Sequence, residues 1–203
     1  GDDIVRVELD NGFVLWSRMD DLSRDFGTPP ARDGDGSWDI SRLAPRRVAA
    51  SERGLALTRS LVADNHAVRA VTRTEEHRAV LEEAGAEVWI GTPDRIGSLR
   101  YGLENVTILG WCLGNAAGPP ELVEPLHGSR LHMMLEKTID TTVRGVLYEQ
   151  AGSVDPQILA TGAGIVRTMQ EQNEIPYEIL DADPGDAQAW AAAARASIDD
   201  LLR

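Results

Sequence analysis

The sequence predicts an α/β protein in which helices alternate with the strands of a parallel sheet. The stretch Arg46–Arg73 has the order strand, tight turn, helix, strand, and the chain after it repeats that order. The run Val106–Leu113 is apolar almost throughout, which is typical of a strand covered by helices on both faces. Right-handed crossovers between such strands give a three-layer, Rossmann-like sheet of about six strands in the order 3-2-1-4-5-6.

An N-terminal β-hairpin is predicted before this sheet. Apolar residues recur at every second position of residues 4–9, and Asn11-Gly12 favours a two-residue type I′ turn before residues 13–18. A helical turn or short helix is predicted over Asp20–Phe26. The chain therefore divides into an appendage of hairpin and helix (1–26), a linker rich in proline and glycine (27–45), and a Rossmann-like domain (46–203).

Each element of the domain has its own local signal. The first helix carries Leu57, Leu61 and Val62 on one face and ends at Asn65, and Gly85 is a favourable C′ residue for the second helix. The full order is strand Arg46–Ala50, the first helix, strand Ala67–Thr72, helix Glu75–Ala84, strand Glu87–Ile90, helix Ile96–Leu103, strand Val106–Leu113, loop Gly114–Pro120, helix Leu126–Thr138, strand Val143–Glu149, helix Asp155–Gln172, strand Pro176–Leu180 and helix Ala187–Leu202. Asp155 as N-cap and Pro156 at N1 mark one of these helix starts.

The composition limits the classes of partner. The formal charge is −13 and Lys137 is the only lysine, so nucleic acid and anionic membranes, which attract clustered Lys and Arg, are excluded. The acidic start resembles no signal peptide and no apolar run approaches the length of a membrane span, so a cytoplasmic location is expected. The single cysteine, Cys112, is interpreted as a buried core thiol.

The turn before the first helix is the place where a Rossmann-like fold holds a pyrophosphate. The Gly-x-Gly-x-x-Gly motif supplies a tight turn, a close approach to the phosphates and close packing of the helix on the strand. The matching positions are Ala49, Ser51 and Gly54, so only the third glycine is present. One interpretation is that the N–H groups at the start of the helix still hold an anion. The alternative is that this turn binds nothing.

Four segments of the chain, taken in order, carry a family resemblance: Asn65–Arg73, Glu82–Val88, Ser98–Val106 and Ile175–Leu180. They are similar to segments of the atypical or extended short-chain dehydrogenase/reductase group, which includes NAD(P)H-binding epimerase-like and NmrA-like proteins. The resemblance covers about residues 46–184, and it implies a Rossmann fold with an NAD(P) cofactor.

The resemblance also implies candidate cofactor-binding residues. Arginine at the end of the second strand implies a preference for the 2′-phosphate of NADP, and Arg73 has this position. The alternative is an ordinary solvated arginine. Thr92 stands where the group usually has an acidic residue near adenine, and Leu113 and Gly114 complete the set at the end of the fourth strand. NADP, rather than NAD, is the cofactor expected at such a site.

The catalytic motif of the group is absent. Its Tyr-x-x-x-Lys pair, in which the lysine lowers the pKa of the tyrosine, would fall at Leu159 and Ala163. The remaining candidates for an acid/base are Tyr148 and Glu149 at the end of the fifth strand, although a strand tyrosine is more often a packing residue.

No metal site is predicted. None of the four histidines, His66, His77, His127 and His132, has a partner at ligand spacing. The segment Gly162-Ala163-Gly164 lies within a helical pattern, where its glycines indicate close helix packing and not a phosphate loop.

Two functions follow from these observations. The favoured one is a non-catalytic Rossmann-like binding or interaction module with weak NADP(H) affinity, because the glycine turn, the adenine position and both catalytic positions all depart from the pattern. The alternative is an NAD(P)H-dependent reductase or epimerase-like enzyme that uses Tyr148 or Glu149 as an unconventional acid/base.

The N-terminal hairpin cannot bury its own apolar face. It is therefore expected to fold back on its own domain, to pair with a second copy in a homodimer, or to bind another protein. The homodimer is favoured.

Overall fold

The structure is a computed structural model, and it describes the strand backbones of residues 4–9 and 13–18 together with residues 52–73, 75–93, 95–116 and 118–203. The strands are β1 (Ile4–Leu9), β2 (Phe13–Arg18), β3 (Val68–Thr72), β4 (Ala86–Ile90), β5 (Ile108–Trp111), β6 (Gly145–Glu149) and β7 (Tyr177–Leu180). The α-helices are α1 (Glu52–Ala63), α2 (Arg78–Glu83), α3 (Gly97–Arg100), α4 (Pro120–His127), α5 (Ser129–Thr138), α6 (Pro156–Gln172) and α7 (Ala187–Leu201). The alternation of strands and helices confirms the predicted mixed α/β class.

Two groups of neighbouring strands in the sheet pair in parallel. Strand β3 pairs with β4, and β5, β6 and β7 pair in succession, all in parallel. Strands β1 and β2 are antiparallel to each other, and they lie between β3 and β5 in the order β4-β3-β1-β2-β5-β6-β7. The predicted strand Arg46–Ala50 lies outside the described residues, so the order 3-2-1-4-5-6 stays a prediction.

The N-terminal segments pair within the sheet of their own chain. Leu9 is the partner of Phe13, so the connection between β1 and β2 spans three residues where Asn11-Gly12 predicts a two-residue turn. The turn residues, the predicted helix Asp20–Phe26 and the linker 27–45 lie outside the described residues. The division into domains therefore stays a prediction.

Helices cover both faces of the sheet. Tyr148 and Glu149 are adjacent in β6, and successive residues of a strand point to opposite faces. The Tyr148 hydroxyl meets His127 of α4 and Leu159 of α6, whereas the Glu149 carboxylate meets residues of α1 and α7. The α4/α6 group and the α1/α7 group therefore lie on opposite faces, and the molecule has three layers at β6.

The segment after β5 differs from the prediction. A helix begins at Pro120, within the predicted loop Gly114–Pro120, and the predicted single helix Leu126–Thr138 is divided at Gly128. Pro120 suits the first turn of a helix because its missing N–H would have no partner there. Pro125 lies inside α4, which continues past it to His127.

Local capping signals are confirmed where the sequence is explicit. Asp155 caps α6 by accepting a hydrogen bond from the Gln157 N–H at 2.7 Å, and Pro156 follows at N1. Gly85 has φ +93° directly after α2, as expected of a C′ glycine.

The bounds of the strands are less well predicted, since β5 has four residues where the apolar run predicts eight. Of the residues of the apolar run outside β5, Val106, Cys112 and Leu113 are buried and Thr107 is half-buried.

Candidate functional site

The candidate site residues of the described chain lie along one edge of the sheet. Arg73, Thr92 and Gly114 follow the carboxyl ends of β3, β4 and β5, and Glu149 is the last residue of β6. Because these strands run parallel, their carboxyl ends meet at the same edge, where open α/β sheets bind ligands. Ala49 and Ser51 lie outside the described residues, so their predicted role is not tested.

Glu149 is the centre of a buried polar cluster. Its Oε2 accepts hydrogen bonds from Arg53 Nη2 at 3.2 Å and from the Gly114 N–H at 2.7 Å. Its Oε1 accepts a hydrogen bond from Trp190 Nε1 at 2.8 Å. The Glu149 side chain is 0% exposed and that of Arg53 is 4% exposed, so this is an ion pair inside the protein. One carboxylate therefore joins α1, the loop after β5 and α7.

The electrostatics of Glu149 reflect its burial. Burial raises the pKa of the Glu149 carboxyl above its ordinary value, because the charged form loses its hydration. The Arg53 charge, the Gly114 N–H and the Trp190 indole oppose this rise in pKa. Arg53 also lies over the indole ring of Trp190, with its guanidinium carbon 4.9 Å from the ring centroid.

The loops after β5 and β6 are pressed together. A Cβ added to Gly114 would overlap the carbonyl oxygen of Ala151, and one added to Gly152 would overlap the carbonyl of Gly114. The Val154 N–H donates to the Gly114 carbonyl at 3.0 Å, and the Ser153 N–H donates to Asn115 Oδ1 at 2.8 Å. This backbone contact closes the edge of the sheet between β5 and β6.

Tyr148 lies on the other face of the sheet in an equally enclosed position. It is 0% exposed, its hydroxyl donates to the Leu159 carbonyl at 3.1 Å, and His127 Nδ1 lies 2.8 Å from the same oxygen. Burial raises the pKa of the Tyr148 hydroxyl far above its ordinary value, and the charge of Glu149 adds to the rise. The Tyr148 hydroxyl therefore has both of its hydrogen-bond partners inside the protein, away from solvent.

His127 is held neutral beside Tyr148. Burial lowers its pKa to about 4 from an ordinary 6.5, against a smaller opposing effect of the Leu113 backbone. Because the unfolded chain takes up the proton first, the contribution of neutral His127 to stability is complete above pH 6.5 and is lost as the pH falls to 4. We expect this loss to be about 3 kcal/mol, on the basis of 1.4 kcal/mol per pKa unit.

The measurement is urea unfolding of the wild type and of His127→Gln at several values of pH between 4 and 8. The difference in unfolding free energy between the two proteins isolates His127 from other groups, such as Glu149, whose raised pKa acts in the opposite sense. The wild-type advantage is expected to shrink below pH 6.5. A constant difference across this range would contradict the prediction.

The other predicted cofactor-binding residues that the structure describes are Gly54, Leu113, Arg73 and Thr92. Gly54 is buried in the first turn of α1, and its carbonyl accepts a hydrogen bond from Thr58 Oγ1 at 2.7 Å. Leu113 is fully buried, and Arg73 is half-buried. The Thr92 N–H donates to Ser98 Oγ at 2.9 Å in a turn before α3. The structure therefore joins Gly114 to Glu149 directly and places Arg73 and Thr92 after neighbouring strands.

Two residues of the cluster are absent from the prediction. Arg53 stands beside Gly54 at a helix start, where a charged side chain indicates solvent exposure. Trp190 is the only aromatic residue of the alanine-rich helix α7, and this is a signal that it anchors the helix. Neither signal indicates that the two side chains meet the same carboxylate.

A concave surface lies at the opposite edge of the sheet. A cavity of about 560 Å³ is lined by residues that precede β5 and β6, among them Tyr101, Glu104, Glu136 and Lys137. The side chains that line this cavity carry charges of both signs, so it specifies no ligand class.

Among the described residues, no group of three His, Cys, Asp or Glu side chains is placed to hold a metal ion. In the same ranges, none of the helices has the length and apolarity that a membrane span requires.

Comparison with known proteins gives a likeness in fold. No protein-family model matches the chain, and no curated protein sequence matches it. The crystal structure of gox2253 is similar, with a TM-score of 0.50 and 18% identity over 64% of this chain. The triphenylmethane reductase of Citrobacter sp., complexed with NADP(H), has a TM-score of 0.48 and 21% identity over 63% of this chain. The matched parts cover 47% and 44% of those two proteins, so the chain spans less than half their length. At 18% identity, the likeness to gox2253 is one of fold alone.

Proposed function

We propose that this chain is a non-catalytic, Rossmann-like binding module. The observation that carries the proposal is the burial of both candidate acid/base residues at the end of β6. Tyr148 and Glu149 are each 0% exposed, and protein groups occupy their polar atoms. A general acid must come within hydrogen-bond reach of its substrate. Buried in this way, the two residues support a structural role at the position where a reductase would carry its chemistry.

The resemblance implies a dinucleotide cofactor. The described residues suit the adenosine end of such a cofactor and not its nicotinamide end. Arg73 is half-buried at the carboxyl end of β3, where its guanidinium suits a phosphate of the adenosine part. The other end does not fit, because the loops at Gly114 and Gly152 are in backbone contact and Glu149 occupies the Gly114 N–H. The proposal therefore includes weak binding of NADP through its adenosine part, and no reaction of its nicotinamide.

The direct test is NADPH consumption with a broad panel of carbonyl substrates, followed by absorbance. We expect no turnover above that of heat-denatured protein. Tyr148→Phe and Glu149→Gln serve as the paired variants. Turnover in the wild type would contradict the proposal, and turnover that either variant abolishes would support the alternative, a reductase with an unconventional acid/base.

The adenosine end is tested separately through Arg73. We expect NADP to bind more tightly than NAD, and Arg73→Ala to weaken NADP binding by about tenfold or more, because charged hydrogen bonds to a phosphate contribute about 1.5–3 kcal/mol. Calorimetric titration of both cofactors measures this. Arg100→Ala is the matched control, since it removes the same charge from an exposed residue at the opposite edge of the sheet.

NAD binding that equals NADP binding, or NADP binding that Arg73→Ala leaves unchanged, would contradict this expectation. If neither cofactor binds, NADP is removed from the proposed function and the binding module remains. The partner of such a module is proposed to be a second copy of the chain or another protein. The strands β1 and β2 that would form a homodimer pair within one chain here, so dimerisation stays a prediction.

A further inference from the structure

Arg53 has more hydrogen-bonding capacity than its surroundings use. It lies in the first turn of α1, a helix of 12 residues, and it is 4% exposed. Its Nη2 donates to Glu149 Oε2, while its Nε and Nη1 are buried with no hydrogen-bond partner within the described part of the chain. A buried guanidinium needs an anionic partner, and Arg53 has donors left beyond the one that Glu149 fills.

The surroundings of Arg53 suit an anion. The first turn of a helix carries the positive end of the helix dipole, which favours negative charge. The Gly114 N–H, from a different loop, converges on the same carboxylate oxygen as Arg53 Nη2. A cation and a backbone N–H aimed at one oxygen are the donors that a phosphate or carboxylate ligand would use.

We propose that Glu149 is a built-in anion that fills this site and keeps phosphate ligands off Arg53. The carboxylate takes the Arg53 and Gly114 donors through Oε2, and Trp190 fixes its other oxygen. The carboxylate thereby holds the position that an anionic ligand would take between these donors. This inference goes beyond the proposed binding function, since it states which group excludes an anion and predicts that removing that group creates a phosphate site.

The test is calorimetric titration of inorganic phosphate into the wild type and Glu149→Ala, at constant ionic strength set with sodium chloride. We expect Glu149→Ala to bind phosphate at least about tenfold more tightly than the wild type, and Arg53→Gln in the Glu149→Ala background to abolish the gain. Glu136→Ala is the matched control, because it removes the same charge from a side chain that is 52% exposed, and it is expected to bind phosphate no better than the wild type.

Three outcomes would overturn the inference. One is phosphate binding by the wild type that Arg53→Gln abolishes; another is a folded Glu149→Ala that binds no better than Glu136→Ala. Circular dichroism checks the fold of each variant. If Glu149→Ala is unfolded, Glu149→Ser repeats the comparison, since it removes the charge and most of the volume while its hydroxyl keeps an acceptor in the cluster. A gain below tenfold over Glu136→Ala would be the third outcome. Phosphate binding and NADPH turnover are independent readouts, so failure here is distinct from failure of the proposed function.

Discussion

Glu149→Ala is expected to lower the free energy of unfolding by about 3–5 kcal/mol. The substitution leaves the buried Arg53 without its carboxylate partner, and it also leaves the Gly114 N–H and the Trp190 indole without an acceptor. Urea unfolding at pH 7, followed by tryptophan fluorescence and circular dichroism, measures the loss. Glu136→Ala, at an exposed position, is expected to stay within about 0.5 kcal/mol of the wild type.

A double variant separates the ion pair from the packing around it. Arg53→Met with Glu149→Leu replaces both charges by apolar side chains of similar size, and such replacements of buried ion pairs are often neutral or stabilising. We expect the double variant to recover most of the stability that Glu149→Ala loses. A loss below about 1 kcal/mol in Glu149→Ala would show that solvent or another group compensates Arg53, and it would contradict this account of the cluster.

The sequence predicts well those features that depend on neighbouring residues. Asp155 and Pro156 specify the start of α6 because the cap and the first turn involve only the next few residues. Gly85 specifies the end of α2 for the same reason, since a single backbone conformation decides it. The alternation of strands and helices is the sum of such local signals, and it is sufficient for the mixed α/β class.

The candidate site depends on contacts that no local signal contains. Arg53 and Glu149 are separated by 96 positions, and they meet only because α1 and the end of β6 lie at the same edge of the sheet. The sequence places Glu149 at the end of a strand correctly, but it gives no reason to expect a buried arginine at the start of a helix. The identity of its partners therefore required the structure.

The helix α4 shows a different source of error. Pro120 was assigned to a loop and Pro125 lies before the predicted helix start at Leu126, but each position loses at most one hydrogen bond within a helix that is buried along one side. Val123, Leu126 and His127 are the buried residues of this helix, and their packing favours the helix over the local preference of proline. Tertiary burial decides such short segments, and the sequence pattern alone does not report it.

Gly162→Ala is expected to cost about 2–3 kcal/mol of unfolding free energy, because a Cβ at this position would overlap the hydroxyl of Tyr148. The hydroxyl cannot move away easily, since Tyr148 is fully buried and bonded to Leu159 and His127. Gly164→Ala on the same helix is the matched control. A Cβ there meets nothing within 4 Å, so we expect a gain of about 0.5–1 kcal/mol from the better helix propensity of alanine.

The cause of the Gly162→Ala loss is tested in the Tyr148→Phe background. Removing the hydroxyl removes the nearest overlapping atom, so we expect Gly162→Ala to cost less than half as much there as in the wild type. Chemical unfolding of the four proteins gives the coupling energy. An equal cost in both backgrounds would mean that the overlap is relieved elsewhere, for example at the His127 carbonyl, which lies 3.1 Å from the same Cβ position. A Gly164→Ala variant that loses as much as Gly162→Ala would instead show that α6 tolerates no added side chain, and that the contact with Tyr148 is not the reason for glycine at position 162.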